Sequence, residues 1–132
     1  MVTQKPDLGL WLASAFNRHF PEVAALPWPE PDLIEAPVDL ELDPLTGVRV
    51  RAADIAIEIS GPLDRRLNTV ASFPGNGFQL SNVYTPCATG MLQIAGRRIS
   101  GSPRVITKAP ASSTAFLADA ETWCDPEPSA ES

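Results

Sequence analysis

The sequence predicts a mainly β protein: a small antiparallel β-sandwich or barrel, preceded by one N-terminal amphipathic helix and a Pro-rich extended arm. Three observations support this. Alternating apolar and polar residues recur in short runs, turn signals separate those runs at intervals of about 8 to 12 residues, and only one stretch carries a helical period. At 132 residues the chain has the length of one domain and can bury a core without disulfide or metal staples. Hydrophobic residues make up 44% and charged residues 20%, which is ordinary globular usage. The 14 prolines are in excess of that usage, and they gather between residues 21 and 44 and near the C-terminus, so they mark connections. The expected layout is a helix and arm over 1–36, a β-domain over 37–124 and a disordered acidic tail over 125–132.

The first element is expected as a helix from Asp7 to Phe20, with Asp7 as N-cap and Pro21 as its stop. Leu8, Leu12, Ala15, Phe16 and His19 share one face at helical spacing, and Trp11 widens it, so the helix must dock on its own sheet or on a neighbouring subunit. Gly9 weakens it by about 1 kcal/mol relative to alanine. Pro27-Trp28-Pro29-Glu30-Pro31 then forces an extended backbone, a stiff strap in which Trp28 can be immobilised at small entropic cost and serve as an anchor.

Val38 to Asp43 alternates strictly, and Asp43-Pro44-Leu45-Thr46-Gly47 supplies the chemistry of a tight turn: Asp to start, Pro for φ near −65°, Gly for positive φ. A hairpin follows, returning through Val48-Arg49-Val50-Arg51 and continuing at Ile55, Ile57 and Ile59. A four-residue loop would set Leu42 opposite Arg49, so a bulge near Gly47 is expected to restore the register. Further strands are expected at 67–73, 78–84, 90–99 and 103–108, with a turn at Pro74-Gly75-Asn76-Gly77 and another around Thr85 to Gly90. Ser113 to Trp123 reads as a last strand or a short helix.

Charge is distributed in three blocks behind the net of −6. Residues 1–64 carry eleven acids and four bases, residues 65–118 carry six bases and no acid, and residues 119–132 carry five acids and no base. A 54-residue stretch without a carboxylate departs from average usage and has two readings. Acidic and basic parts either pair within the fold, where surface ion pairs contribute little, or dock on other copies or partners and set register and association rate. Nucleic acid is disfavoured as a partner, because six dispersed bases sit in a chain whose net charge repels phosphate.

Catalytic chemistry finds no set of residues. His19 is the single histidine and falls near a helix C-terminus, where the dipole favours a cation. Cys87 has no basic neighbour in sequence to lower its pKa, and Cys87 and Cys124 stand 37 apart without a C-x-x-C or second His, so two free thiols and no zinc site are expected. Asp39, Glu41 and Asp43 lack calcium-loop spacing and read as a solvated face. Phe73 to Phe78 is hairpin chemistry, not a phosphate loop. No cofactor or metal is expected, nor any membrane-spanning run or secretory signal, which places the protein in the cytoplasm or in an assembled particle.

The function expected from these features is a non-catalytic structural or adaptor subunit of a larger assembly, for example a virion capsid or tail component. Its partners would be other protein subunits, in a homo- or hetero-oligomer. The contacting residues would be Trp11, Phe16 and Trp28 on the helix and arm, with the pairs Arg65-Arg66 and Arg97-Arg98. The alternatives are a small β-barrel that binds or cyclises an apolar small molecule, and a nucleic-acid-associated protein.

Overall fold

A computed structural model describes residues 1–14, 31–74 and 77–125. The expected course of 15–30, which includes Phe16, His19, Pro21 and Trp28, lies outside the described residues, as do Gly75, Asn76 and the tail beyond Asp125. The chain is mainly β and antiparallel, a sandwich-like arrangement with one short N-terminal helix. No helix among the described residues is long and apolar enough to cross a membrane.

The chain opens with β1 (Val2–Thr3), which leads into α1 (Pro6–Ser14). The helix begins one residue earlier than expected. Pro6 takes the first helical position, where its missing N–H costs nothing, and Asp7 lies in the first turn as a favourable charge instead of capping it. The Thr3 hydroxyl bonds both backbone groups of Lys5, while the Lys5 carbonyl accepts the first helical bond from Gly9. Of the expected apolar stripe, Leu8 is exposed and Leu12 half-buried; Leu10 and Trp11 are exposed as well, and only Gly9 is buried, where an added Cβ would stand 2.7 Å from the Thr3 side chain.

Beyond the arm, β2 (Ile34–Glu35) pairs in parallel with β1, and the hairpin follows as β3 (Val38–Asp43) and β4 (Gly47–Ala52). The ladder runs unbroken from Val38 opposite Ala52 to Asp43 opposite Gly47, so Leu42 faces Val48 as the apolar pattern requires. No residue is inserted, which corrects the expected bulge. The loop has three residues, closed by Thr46 N–H to Asp43 C=O at 3.0 Å, and Gly47 absorbs the reversal at φ 146°. A Cβ there would lie 2.2 Å from the Ile59 carbonyl oxygen, so both conformation and space demand glycine.

The return does not continue as one strand. Ala53 and Asp54 form a two-residue turn, with Ala53 at φ 50°, between β4 and β5 (Ile55–Pro62). Alanine at positive φ carries no turn signal, which is why the sequence hid this hairpin. β6 (Arg66–Val70) follows, and both β5 and β6 lie along one edge of β7 (Gln79–Ile94).

β7 corrects the expected pair of strands with a turn around Thr85 to Gly90: it is a single sixteen-residue strand. Its first half pairs with β6 and with β11 (Phe116–Cys124), and its second half with β5 and with β8 (Arg97–Arg98). Between them, β9 (Val105–Ile106) and β10 (Ser112–Ser113) form a separate ribbon, shorter than the strand expected at 103–108. Thr85, Pro86 and Cys87 mark the crossover in β7 and are its most buried residues. Pro86 is tolerated there because its carbonyl accepts from Leu63, so the missing N–H faces residues 63–65, where the ladder between β5 and β6 is already interrupted. A second irregularity sits in β11, where Ala120 (φ 50°) and Glu121 oppose a single residue of β7.

The buried apolar set is dominated by small side chains, Ala52, Cys87, Ala111 and Ala115, with Leu80 and Leu117 as its larger members. Gly90 lets Pro103 and Ala115 pass at 3.4 and 3.1 Å from where a Cβ would sit. The five-strand path from β11 through β7, β5 and β4 to β3 in the seven-stranded sheet does not close on itself, which favours the sandwich-like arrangement over a barrel.

Two substitutions check the turn geometry by chemical denaturation. Gly47→Ala should lower stability by about 1–3 kcal/mol from backbone strain alone, with the carbonyl clash adding to it. Ala95→Asn should raise it by several tenths of a kcal/mol, because Ala95 (φ 51°) precedes Gly96 (φ 74°) in a turn for which Asn-Gly is the favoured pair.

Candidate protein-interaction surface

The β3-β4-β5-β7 portion of the sheet has two chemically opposite faces, because residues directly opposite in antiparallel strands project to the same side. One face carries the rows Val38, Ala52, Ile55, Ile94; Leu40, Val50, Ile57, Leu92; and Leu42, Val48, Ile59, Gly90. Only Ala52 in this set is buried. Leu40 remains 58% and Leu42 48% exposed on β3, and Leu92 and Ile94 are exposed on β7. Residues 99–103 and Ala115 approach the face at Ile57, Ile59 and Leu92 and leave the β3 side open. The whole face spans roughly 400 Å², four strands about 4.8 Å apart and six residues long, and the part left open at Leu40, Leu42, Leu92 and Ile94 is a smaller apolar patch of the kind that other protein surfaces can cover.

The opposite face is charged. Asp39 stands opposite Arg51, and Glu41 opposite Arg49, which in turn faces Glu58. Arg49 forms its ion pair with Glu58 at 3.7 Å and not with Glu41. Among the described residues Asp39, Glu41 and Asp43 have no salt bridge; Asp43 instead accepts the Leu45 N–H at 2.9 Å and fixes the turn. A depression of about 400 Å³ over this turn has a mixed lining, with Glu41, Asp43, Arg49 and Glu58 beside Leu42, Val48 and Ile59.

The residues expected to bind partners separate into three groups. Trp11 lies half exposed on α1, while Phe16 and Trp28 lie outside the described residues. Arg65 and Arg66 are engaged inside the fold. Arg65 pairs with Asp119 at 3.2 Å. Arg66 binds Asp64, donates to the Ala111 carbonyl at 2.8 Å, and lies 4.8 Å from the centre of the Tyr84 ring. Tyr84 in turn contacts Phe116 and exchanges hydrogen bonds with the Ser113 backbone, so Arg66 ties β6, β7 and β10 together.

Arg97 and Arg98 are exposed on β8 and form no ion pair among the described residues. Ten residues of β7, up to about 33 Å, separate Tyr84 beside Arg66 from Ile94 opposite Arg97, so the two arginine pairs do not form one patch. The basic stretch is thus partly neutralised by acids from both flanking blocks, with its distal members left over.

Among the described residues no three His, Cys, Asp or Glu side chains gather closely enough to hold a metal ion. Cys87 lies in the crossover and not in a turn as its neighbours suggested; burial pushes its thiol above the usual range, and its Sγ is 3.5 Å from the Thr85 carbonyl. A thiol held neutral in this way is a poor nucleophile. Both cysteines are free, and Cys124 is exposed.

The sequence did not single out the aliphatic face, since strand partners are not adjacent in the chain. Its one local signal was the alternation through Val38–Asp43, Val48–Arg51 and Ile55–Ile59.

Replacing Arg66 with Ala should cost about 1–3 kcal/mol, through its charged hydrogen bonds and ring contact, whereas Arg98→Ala should change stability by less than about 0.5 kcal/mol; equal effects in urea unfolding would show the assignment to be wrong. In native protein a thiol reagent should titrate Cys124 alone, and Cys87 only after denaturation. Because the folded Cys87 pKa is raised, its contribution is complete below the unfolded thiol value of about 8.5 and is lost as pH rises through the folded value.

Compared with protein-family models, curated proteins and solved structures, the chain matches none.

Proposed function

We propose that this chain is a non-catalytic structural or adaptor subunit of a larger protein assembly, of the kind that a virion capsid or tail component represents. The observation that carries the reading is the apolar face: three rows of mostly Val, Ile and Leu, with Ala52 and Gly90, across four strands, left exposed at β3 and at the end of β7. Water contact on a continuous aliphatic patch is unfavourable, and covering it with another protein surface recovers about 25 cal/mol for each Å² removed from water. Two further observations support it. The buried apolar set is mostly small side chains while larger apolar residues remain exposed, and α1 leaves Leu8 and Leu10 exposed.

An apolar-ligand barrel has less support, because the strand path is open. A nucleic-acid role is disfavoured as well: Arg65 and Arg66 are already paired, and β3 is acidic.

Light scattering on the purified chain over a dilution and salt series tests the reading. The expected result is a mass above 14.1 kDa that falls on dilution, and falls further as salt rises to about 0.5 M and screens exposed charges. A mass of 14.1 kDa at every concentration and salt would sink self-assembly.

A further inference from the structure

We infer that the open edge of β3 is a strand-docking site for an extended segment of a partner protein whose side chains alternate between basic and aliphatic. The inference rests on the subunit reading above and adds where and what it binds.

β3 ends the strand path, with no described strand beyond it alongside Leu40 to Asp43. The Val38 N–H points away from β4, since it donates to the Gln4 side chain at 3.2 Å. Backbone direction alternates along an antiparallel strand, so the N–H and C=O groups of Leu40 and Leu42 also point outward, while Asp39, Glu41 and Asp43 bond to β4. The chain's own N-terminus flanks the strand only as far as Val38, through β1 beside β2 and the Gln4 contact. From Leu40 onward no described residue pairs with the outward backbone groups of this edge, the template for strand addition.

Side-chain chemistry selects the occupant. On the inner edge β3 is matched by Val48-Arg49-Val50-Arg51, with aliphatic against aliphatic and arginine against acid. The outer edge presents the same side chains again: Leu40 and Leu42 exposed on one face, and Asp39, Glu41 and Asp43 without a salt bridge on the other. An incoming strand of the same alternation would extend both faces of the sheet and place its cations against three carboxylates. A second copy pairing β3 with β3 in antiparallel would set acids against acids and is disfavoured. Among the described residues the Val-Arg alternation occurs only in β4, which is already used in the inner ladder.

The test uses the full chain and a fluorescein-labelled synthetic peptide of alternating valine and arginine, read by anisotropy. Binding should saturate and weaken at least about tenfold between low salt and about 0.5 M. Reversing charge with Asp39→Lys and Glu41→Lys should abolish it and create binding of a valine-glutamate peptide, an exchange that also reports a folded variant. Two N-methylated peptides decide whether pairing is through the backbone: methylation on the edge facing β3 should remove binding, and on the opposite edge should spare it. Absence of binding, or equal binding of the two methylated peptides, would overturn the proposal. A chain whose mass rises with concentration but which ignores the peptide keeps the subunit reading and loses this edge. Peptide binding by a chain that stays at 14.1 kDa upholds the edge and assigns it to a different protein.

Discussion

The main sheet is held together by one long strand, β7, which pairs along both of its edges. Its first half is held by β6 and β11 and its second by β5 and β8, so nearly every other strand of the main sheet takes its place from it. The crossover at Thr85, Pro86 and Cys87 works because its backbone groups remain bonded on both sides: the Pro86 carbonyl takes the Leu63 N–H, and the Cys87 N–H reaches the Ala115 carbonyl at 2.8 Å. Proline is admitted where the β5-β6 side of the ladder along β7 is interrupted, and the interruption itself supplies the extra residue that lets β5 leave and β6 begin.

Close passage at this crossover limits what the core can hold. Ala115 and Pro103 crowd Gly90, and the buried set around them is alanine, cysteine, serine and threonine more than leucine or isoleucine. Larger apolar residues are carried by strands further from the crossover, where no layer of the described chain fully covers them. The open aliphatic face and the tightness of the centre therefore have one origin. The polar face differs in kind: its cross-strand charges are exposed and individually weak, so they specify which neighbour fits more than how tightly it is held.

Charge followed the same division between local and global. The three blocks are a fact of composition, but the fold uses them unevenly. Arg65 and Arg66 meet Asp119 and Asp64 and become part of the framework, while Arg97 and Arg98 at the far end of β7 remain at the surface. Arg66 and Arg97 look alike in sequence. Only the register that brings Tyr84, Asp64 and Ala111 around Arg66 makes one of them structural.

What the sequence determined alone was the mainly β character, the alternation of β3 and β4, and the turn at Asp43 to Gly47, because periodicity and turn chemistry act within a few residues. Tertiary structure decided that Thr85 to Gly90 is the middle of a strand, that Ala53 and Asp54 reverse the chain, and that four strands align their aliphatic residues into one face. Those outcomes depend on which distant backbone groups satisfy Pro86, Cys87 and the β5-β6 break, and on cross-strand register. Neither is encoded by neighbours in the chain.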